Sequence, residues 1–127
     1  MCAHAGEARP AECCGLIGGR AGVAGSVYRL TNVSARPHVS YEAAPRELFA
    51  AQRVMRERGE ELVAIYHSHP RSADPKPSER DVRLAYYPQA VHLIVGFNGA
   101  GEPIVRAFRL YEAERRWEGV EYAIREE

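Results

Sequence analysis

The stretch LVAIYHSHP, residues 62–70, decides the fold of this chain. It begins with a short apolar run, and the whole stretch lies between Gly59 and Pro70, which predicts a buried central strand. Side chains at positions i and i+2 of a strand point to the same face, so His67 and His69 project together while Ser68 points the other way. Two aligned imidazoles make half of a tetrahedral zinc site. By itself such a pair is more often exposed or hydrogen-bonded than metal-binding. The residues that follow, which bring Ser78 and Asp81 to the same locality, favour a metal position at the end of this strand.

A proline-punctuated loop follows, and the next helix begins after it. Ser78 and Asp81 have the Ser-x-x-acid spacing of a helix N-terminal cap, with Pro77 directly before them. A catalytic zinc site needs one protein ligand besides the two histidines, plus water. Asp81 is the nearest well-placed carboxylate, and the cap would fix where that carboxylate lies. The same residues can therefore cap a helix and complete a metal site.

Length and charge narrow the class of protein. The 127 residues fit one α/β domain over 1–127, long enough to bury a core. Seventeen basic residues balance seventeen acidic ones, so no long-range field favours nucleic acid or an anionic membrane. No apolar run approaches the ~20 residues of a membrane span, and the N-terminus lacks the apolar core of a signal peptide. Three cysteines do not form a disulfide framework, so we expect a cytoplasmic protein.

Two strands and a helix are predicted before the central strand. Residues 10–19 form a strand on which Glu12 shares a face with the side chains two and four positions later. The glycines that follow make a hairpin connection and not a phosphate loop, since no Gly-Lys-Ser/Thr comes after them. Residues 26–33 are the partner strand, residues 34–44 a loop, and 45–59 a helix with proline at its start and glycine at its end.

Helices and strands are also predicted in the second half of the chain. A helix is predicted over 78–87, a buried strand over 91–97, an outer strand over 104–110 and an edge strand over 120–124. His92 lies in an apolar run, which favours a core histidine over a third imidazole ligand. The predicted architecture is a mixed β-sheet flanked by two or three helices.

Three segments, taken together, resemble the JAMM (MPN+, JAB domain) zinc metallopeptidases in their small prokaryotic form. They are Glu12-Cys-Cys-Gly-Leu-Ile-Gly, His67-Ser-His69-Pro and Ser78-x-x-Asp81. The resemblance runs over essentially the whole chain and implies a cytidine-deaminase-like α/β fold. It also implies that Glu12 is the general base, that His67, His69 and Asp81 hold Zn²⁺, and that Ser78 steadies the tetrahedral intermediate.

The same resemblance implies a class of substrate. JAMM enzymes of this kind cut amide or isopeptide bonds after the C-terminal Gly-Gly of ubiquitin-like β-grasp proteins, which in prokaryotes are sulfur carriers and small modifiers. We expect the loop 34–44 to hold that tail in an extended form. The loop 70–77 is one residue longer than the family's usual spacing, a change that a loop absorbs at small entropic cost. The sequence leaves the oligomeric state open.

Two other functions compete with this one. A non-catalytic MPN-type scaffold that only binds a partner would be expected to have broken site positions, whereas all five are filled here. A zinc deaminase on the related fold would need a Pro-Cys-x-x-Cys ligand pair. Cys13 and Cys14 are adjacent and do not have that spacing.

Overall fold

The computed structural model describes residues 1–83, 87 and 90–123. Nine elements follow one another along these residues: α1 (Cys2–Ala8), β1 (Cys14–Arg20), β2 (Val23–Leu30), α2 (Pro45–Glu57), β3 (Glu61–Ser68), α3 (Glu79–Arg83), β4 (Val91–Phe97), β5 (Pro103–Tyr111) and β6 (Arg116–Val120). None of the helices in the described ranges is long and apolar enough to cross a membrane.

The strands form one mixed sheet in the order β2-β1-β3-β4-β5-β6. β3 lies inside it, antiparallel to β1 and parallel to β4. A parallel neighbour requires a crossover connection, and the chain that contains α3 supplies it. The predicted α/β class, a mixed sheet flanked by helices, is confirmed.

Alternation along the strands divides the core between two faces. Leu16 and Ile65 pack with Met55 of α2 on one face. Ile17 and Tyr66, one residue further along each strand, pack with Ala5 of α1 on the other. Because strand side chains alternate, the side chain two positions after Ile65 lies on the α2 face, and this places His67 there.

The hairpin between β1 and β2 shifts both predicted strands. Ala21 and Gly22 have φ angles of 52° and 75°, as a two-residue type I′ turn requires, so β2 begins at Val23 and not at residue 26. β1 begins at Cys14 and not at residue 10, because the Glu12 amide donates to the Pro37 carbonyl at 2.7 Å and stands outside the sheet.

Both helices predicted after residue 44 are present in the described residues. α2 begins at Pro45, and Gly59, with a φ of 68°, follows its C-cap. The helix expected over 78–87 is described as α3, and residues 84–86 lie outside the described residues, but Tyr87 is described outside any helix, so the predicted end was wrong.

The prediction for the end of the chain was wrong. The edge strand is β6, Arg116–Val120, whereas 121–123 lie outside any strand and Ile124 is outside the described residues. β5 is therefore covered by β6 and is not the outer strand. The turn before β6 reverses the chain, with Arg115 at a φ of 51°. Although its neighbours on both sides are charged, Trp117 packs edge-to-face on Phe108 with ring centroids 5.2 Å apart.

Candidate metal centre

Strand pairing brings three parts of the chain to one end of the sheet. Cys14, the first residue of β1, pairs with His67 near the end of β3. Glu12 lies two residues before Cys14, and His69 is one residue past β3, held by a 2.8 Å hydrogen bond from its amide to the Val95 carbonyl. The predicted base thus approaches the histidine pair from the neighbouring strand.

Three donor atoms converge where β3 ends. The Nε2 atoms of His67 and His69 are 3.0 Å apart, and Oδ2 of Asp81 lies 3.2 Å from each of them. In a tetrahedral zinc site with bonds of about 2.0–2.1 Å, neighbouring ligand atoms are about 3.3–3.4 Å apart. Two imidazole nitrogens and a carboxylate oxygen are also ligands that zinc commonly takes. The donor set and its spacing fit such an ion.

The electrostatics of these side chains reflect their contact. Burial alone would raise the pKa of Asp81, but hydrogen bonds with His67 and His69 outweigh it and leave the pKa well below its usual value. For His69, burial lowers the pKa, whereas the hydrogen bond and charge of Asp81 raise it more, so the net direction is upward. Asp81 is therefore a carboxylate at neutral pH, as a metal ligand must be.

The start of α3 holds Asp81 in place. The Ser78 amide donates to Oδ2 of Asp81 at 2.8 Å, and the Asp81 amide donates to the Ser78 hydroxyl at 3.0 Å. This is a reciprocal capping box with an aspartate in the acidic position. The Ser78 hydroxyl serves as an acceptor, so its own proton remains able to donate. The extra residue in the loop 70–77 does not keep Asp81 away from the histidines.

Glu12 is buried beside the histidines without a hydrogen bond to its carboxyl group among the described residues. Only 6% of the residue is exposed, and its Oε1 has no partner there. Burial raises its pKa to about 7, with the charge of His69 opposing the rise and that of Asp81 adding to it. A buried, unpartnered carboxyl group that titrates near neutrality is suited to taking up and releasing a proton.

Glu12 could also be considered as a metal ligand. One of its carboxylate oxygens lies within 4.8 Å of a nitrogen of both His67 and His69, so the three could hold an ion. The carboxylate of Asp81 is closer, at 3.2 Å from each nitrogen. Of the two carboxylates, that of Asp81 is therefore the better placed for a third ligand.

Two contributors to the site, Tyr41 and Asn32, could not be found from the sequence. The ring of Tyr41 stacks on that of His67, with centroids 4.5 Å apart and an angle of 25°. Asn32 was assigned to a strand, yet its side chain bonds to the Glu12 carbonyl. No local pattern marks either residue, because each contact joins segments distant in sequence.

A cavity of about 350 Å³ lies beside the centre on the α2 face. Its walls include apolar side chains of three strands (Leu16, Leu30, Ile65), and Asp81 lies at its boundary. His92 lines it too, with 4% exposure and no partner for either ring nitrogen among the described residues. Burial lowers the pKa of His92 to about 4, so it is a neutral buried histidine, although the hydrogen-bonded core histidine expected from its apolar surroundings is not found among the described residues.

Comparison with known proteins places these features in a family. Residues 1–111 match the family model described as prokaryotic homologs of the JAB domain. The chain is 38% identical over 92 residues to the desampylase of Haloferax volcanii, a match that covers 71% of this chain and 66%, just under two thirds, of that protein.

Two further relatives match more of this chain. A probable TtuB-protein conjugate cleaving protease of Thermus thermophilus is 38% identical over 112 residues, 88% of this chain and 70% of that protein. The CysO-cysteine peptidase of Mycobacterium tuberculosis is 30% identical over 113 residues, 88% of this chain and 77% of that protein.

Solved structures support the same fold. The solution structure of a protein from Desulfitobacterium hafniense has a TM-score of 0.84 and 33% identity, covering 100% of this chain and 87% of that one. A second, from Salinibacter ruber, has a TM-score of 0.65 and 25% identity, covering 93% of this chain and 80% of that one.

Proposed function

This chain belongs to the prokaryotic homologs of the JAB domain, and we propose from this premise that it is a zinc-dependent isopeptidase or peptidase. We assign the domain to the whole of 1–127. In this proposal the enzyme cleaves after the C-terminal Gly-Gly of a ubiquitin-like, sulfur-carrier type protein. The observation that carries the proposal is the meeting of His67, His69 and Asp81 at 3.0–3.2 Å, with the buried carboxyl group of Glu12 beside them.

We infer that His67, His69 and Asp81 hold Zn²⁺. Two imidazoles and one carboxylate are a known catalytic ligand set for zinc, and they leave one coordination position open. When bound, the ion supplies a Lewis acid for the scissile carbonyl and lowers the pKa of a water molecule toward about 7. The buried position of His67 and the two hydrogen bonds of the capping box hold the ligands before any ion arrives.

Glu12 acts as the general base. Its carboxylate takes a proton from the attacking water and then gives that proton to the leaving amine. With a pKa raised by burial to about 7, the group can do both near neutral pH. Because no described residue hydrogen-bonds to its carboxyl oxygens, the carboxylate has no competing partner for that proton.

Ser78 steadies the oxyanion of the tetrahedral intermediate. Its hydroxyl oxygen accepts the Asp81 amide at 3.0 Å, which orients the side chain and leaves the hydroxyl proton to donate to the substrate oxygen. Ser78 is exposed, so an incoming substrate can reach it. Its backbone and side chain are fixed by the same helix start that fixes the third ligand.

The loop 34–44 is the proposed contact for the substrate tail. Its end pairs with the residues after β2, through hydrogen bonds from the Val33 amide to the Glu42 carbonyl at 2.8 Å and from the Ala44 amide to the Thr31 carbonyl at 3.1 Å. Ala43 lies opposite Asn32 between these two hydrogen bonds, so the amide and carbonyl groups of Ala43 point away from the Asn32 segment. A flexible Gly-Gly tail can lie extended along that free edge and form main-chain hydrogen bonds. Tyr41, two residues before Ala43, stacks on His67, so the free edge of Ala43 lies close to the proposed metal ligands.

The relatives support the class of substrate. Their names describe a desampylase, a protease that cleaves TtuB-protein conjugates and a peptidase for CysO-cysteine. We propose a ubiquitin-like substrate of that kind for this chain as well. We also propose a cytoplasmic location, which the free state of all three cysteines supports.

The test is a cleavage assay read by intact mass. Candidate β-grasp proteins that carry a C-terminal extension after Gly-Gly are incubated with the zinc-loaded protein, with and without a chelator. We expect truncation after Gly-Gly that stops in the chelator, and only a residual truncation, detectable over long incubations, by Glu12→Gln although that variant retains zinc. Binding of a β-grasp protein without cleavage by the wild type would instead support the non-catalytic scaffold.

A further inference from the structure

We propose that Asn32 is a positioning residue for Glu12, which it holds through the main chain. The inference rests on the proposed function for the role of Glu12 as base, but the hydrogen bonds on which it is built are independent of that role. Asn32 follows β2 and opens the connection to α2, outside the sequence segments that carry the family's motif.

The side chain of Asn32 uses its full hydrogen-bonding capacity. Its Nδ2 donates to the carbonyl oxygens of Glu12 at 3.0 Å and Ser40 at 3.1 Å. Its Oδ1 accepts the amides of Ser34 at 3.0 Å and Glu42 at 3.1 Å. An asparagine side chain has two donors and accepts two hydrogen bonds, so all four are made here. A single side chain thus ties the two ends of the loop 34–44 to the residue that carries the base.

The main chain of Glu12 is held by this connection on both sides. Its amide donates to the Pro37 carbonyl at 2.7 Å, and its carbonyl accepts from Asn32. Its carboxyl group, in contrast, makes no hydrogen bond among the described residues. The direction of the Glu12 carboxylate therefore depends on the position of its own backbone and on packing. That backbone is held by the segment between β2 and α2, whose conformation the Asn32 side chain stabilises.

The same connection also touches a metal ligand, because Tyr41 stacks on His67. Asn32 also forms an isolated β-bridge with Ala43, which lies two residues after Tyr41. The positions of both Glu12 and His67 therefore depend on the same short segment, residues 32–44. A displacement of that piece by about 1 Å is enough to cost about 100-fold in rate when it misplaces a reacting group.

Substitution of Asn32 separates positioning from general stability. Asn32→Asp keeps the shape and the Oδ1 acceptor but removes both donors, which leaves a carboxylate facing the carbonyl oxygens of Glu12 and Ser40. We expect kcat to fall at least about tenfold, with KM changed less than about threefold and zinc content unchanged. The matched control is Asn98→Asp, since Asn98 likewise accepts two amides in a turn, those of Ala100 and Glu102, and touches no site residue. Its kinetics should equal those of the wild type.

A double-mutant cycle tests whether the effect passes through Glu12. Asn32→Ala should lower kcat at least about tenfold in the wild type but less than about twofold in the Glu12→Gln background, measured over long incubations. Equal losses in both backgrounds would show that Asn32 supports the fold alone and would overturn the proposal.

Hydrogen exchange of the chelator-treated protein gives a readout that needs no activity. In Asn32→Ala the Glu12 amide should exchange at least about tenfold faster than in the wild type, while core amides of β1 keep their protection. In the wild type, the side-chain amide protons of Asn32 should exchange more slowly than those of Asn98, which keeps the test available if the variant does not fold. An unchanged Glu12 amide, or equal side-chain rates, would overturn the proposal. If exchange behaves as expected while no β-grasp protein is cleaved, the positioning contact stands and the proposed function fails.

Discussion

The Ser68 hydroxyl accepts a hydrogen bond from the Cys13 amide at 2.8 Å, and the Ser68 amide donates to the Cys13 carbonyl at 3.2 Å. Ser68 stands between the two histidines, and Cys13 directly follows Glu12. Both residues are buried. The side chain that points away from the metal position therefore fixes the register between the strand of the ligands and the segment of the base.

Ser68→Ala removes that contact. The buried Cys13 amide loses its acceptor, which costs about 1–3 kcal/mol of the free energy of unfolding. We expect this loss in urea denaturation, together with a lower kcat at unchanged zinc content. Ser72→Ala is the control, since among the described residues the Ser72 hydroxyl accepts only the exposed Asp74 amide, and should change stability by less than about 0.5 kcal/mol. Equal stabilities for the two variants would contradict the role given to Ser68.

Zinc binding should depend on the Asp81 carboxylate. Asp81→Asn keeps the side-chain shape but removes the charge, so we expect the purified variant to contain far less than one zinc per chain by elemental analysis. Asp74→Asn, at an exposed carboxylate paired with Arg106, should retain the metal. A chelator should also lower the stability of the wild type, by about 2.7 kcal/mol where free zinc had stood at 100 times its Kd. Full zinc occupancy in Asp81→Asn would refute the ligand assignment.

Because Glu12 is buried, the free energy of unfolding of the metal-free protein should depend on pH. The folded pKa of about 7 lies above the ordinary value of 4.5, so the folded state binds more protons than the unfolded state between these values. The stability contributed by the protonated group is therefore lost as pH rises from about 4.5 to 7. Glu12→Gln should match the wild type near pH 4 and exceed it at pH 8 by up to about 3 kcal/mol. A pH-independent difference between the two proteins would contradict this.

His92 should have the opposite pH dependence. Its folded pKa of about 4 lies below the ordinary 6.5, so the unfolded state binds more protons between these values. Stability is then lost as pH falls from about 6.5 to 4. His92→Gln cannot take up a proton, so its denaturation midpoint should fall less than that of the wild type between pH 7 and pH 5. A parallel fall in both proteins would show that other groups cause the acid loss.

The parts of the site that could be predicted from the sequence are those set by local geometry. Alternation along β3 aligns His67 with His69, and a cap spacing of three residues ties Ser78 to Asp81. Both relations hold within a few residues, whatever the rest of the chain does. The approach of Glu12 depended on which strand lies beside β3, and only the resemblance to a family indicated it.

Contacts between distant segments could not be predicted in this way. Asn32 reaches Glu12 across 20 residues of sequence, and nothing around it distinguishes it from any asparagine after a strand. β6 was missed for a similar reason, since Trp117 is recognisable as a strand residue only once its ring packs against Phe108 of the neighbouring strand. Charged neighbours on both sides of Trp117 hid the pattern.

The capping box at the start of α3 has a consequence for how the protein acquires its ion. Oδ2 of Asp81 already accepts the Ser78 amide while it faces both histidine rings. The capping box already holds the Asp81 carboxylate in position, so little conformational entropy would be lost when an ion binds. We therefore expect a chelator-treated chain to take up zinc again while it stays folded.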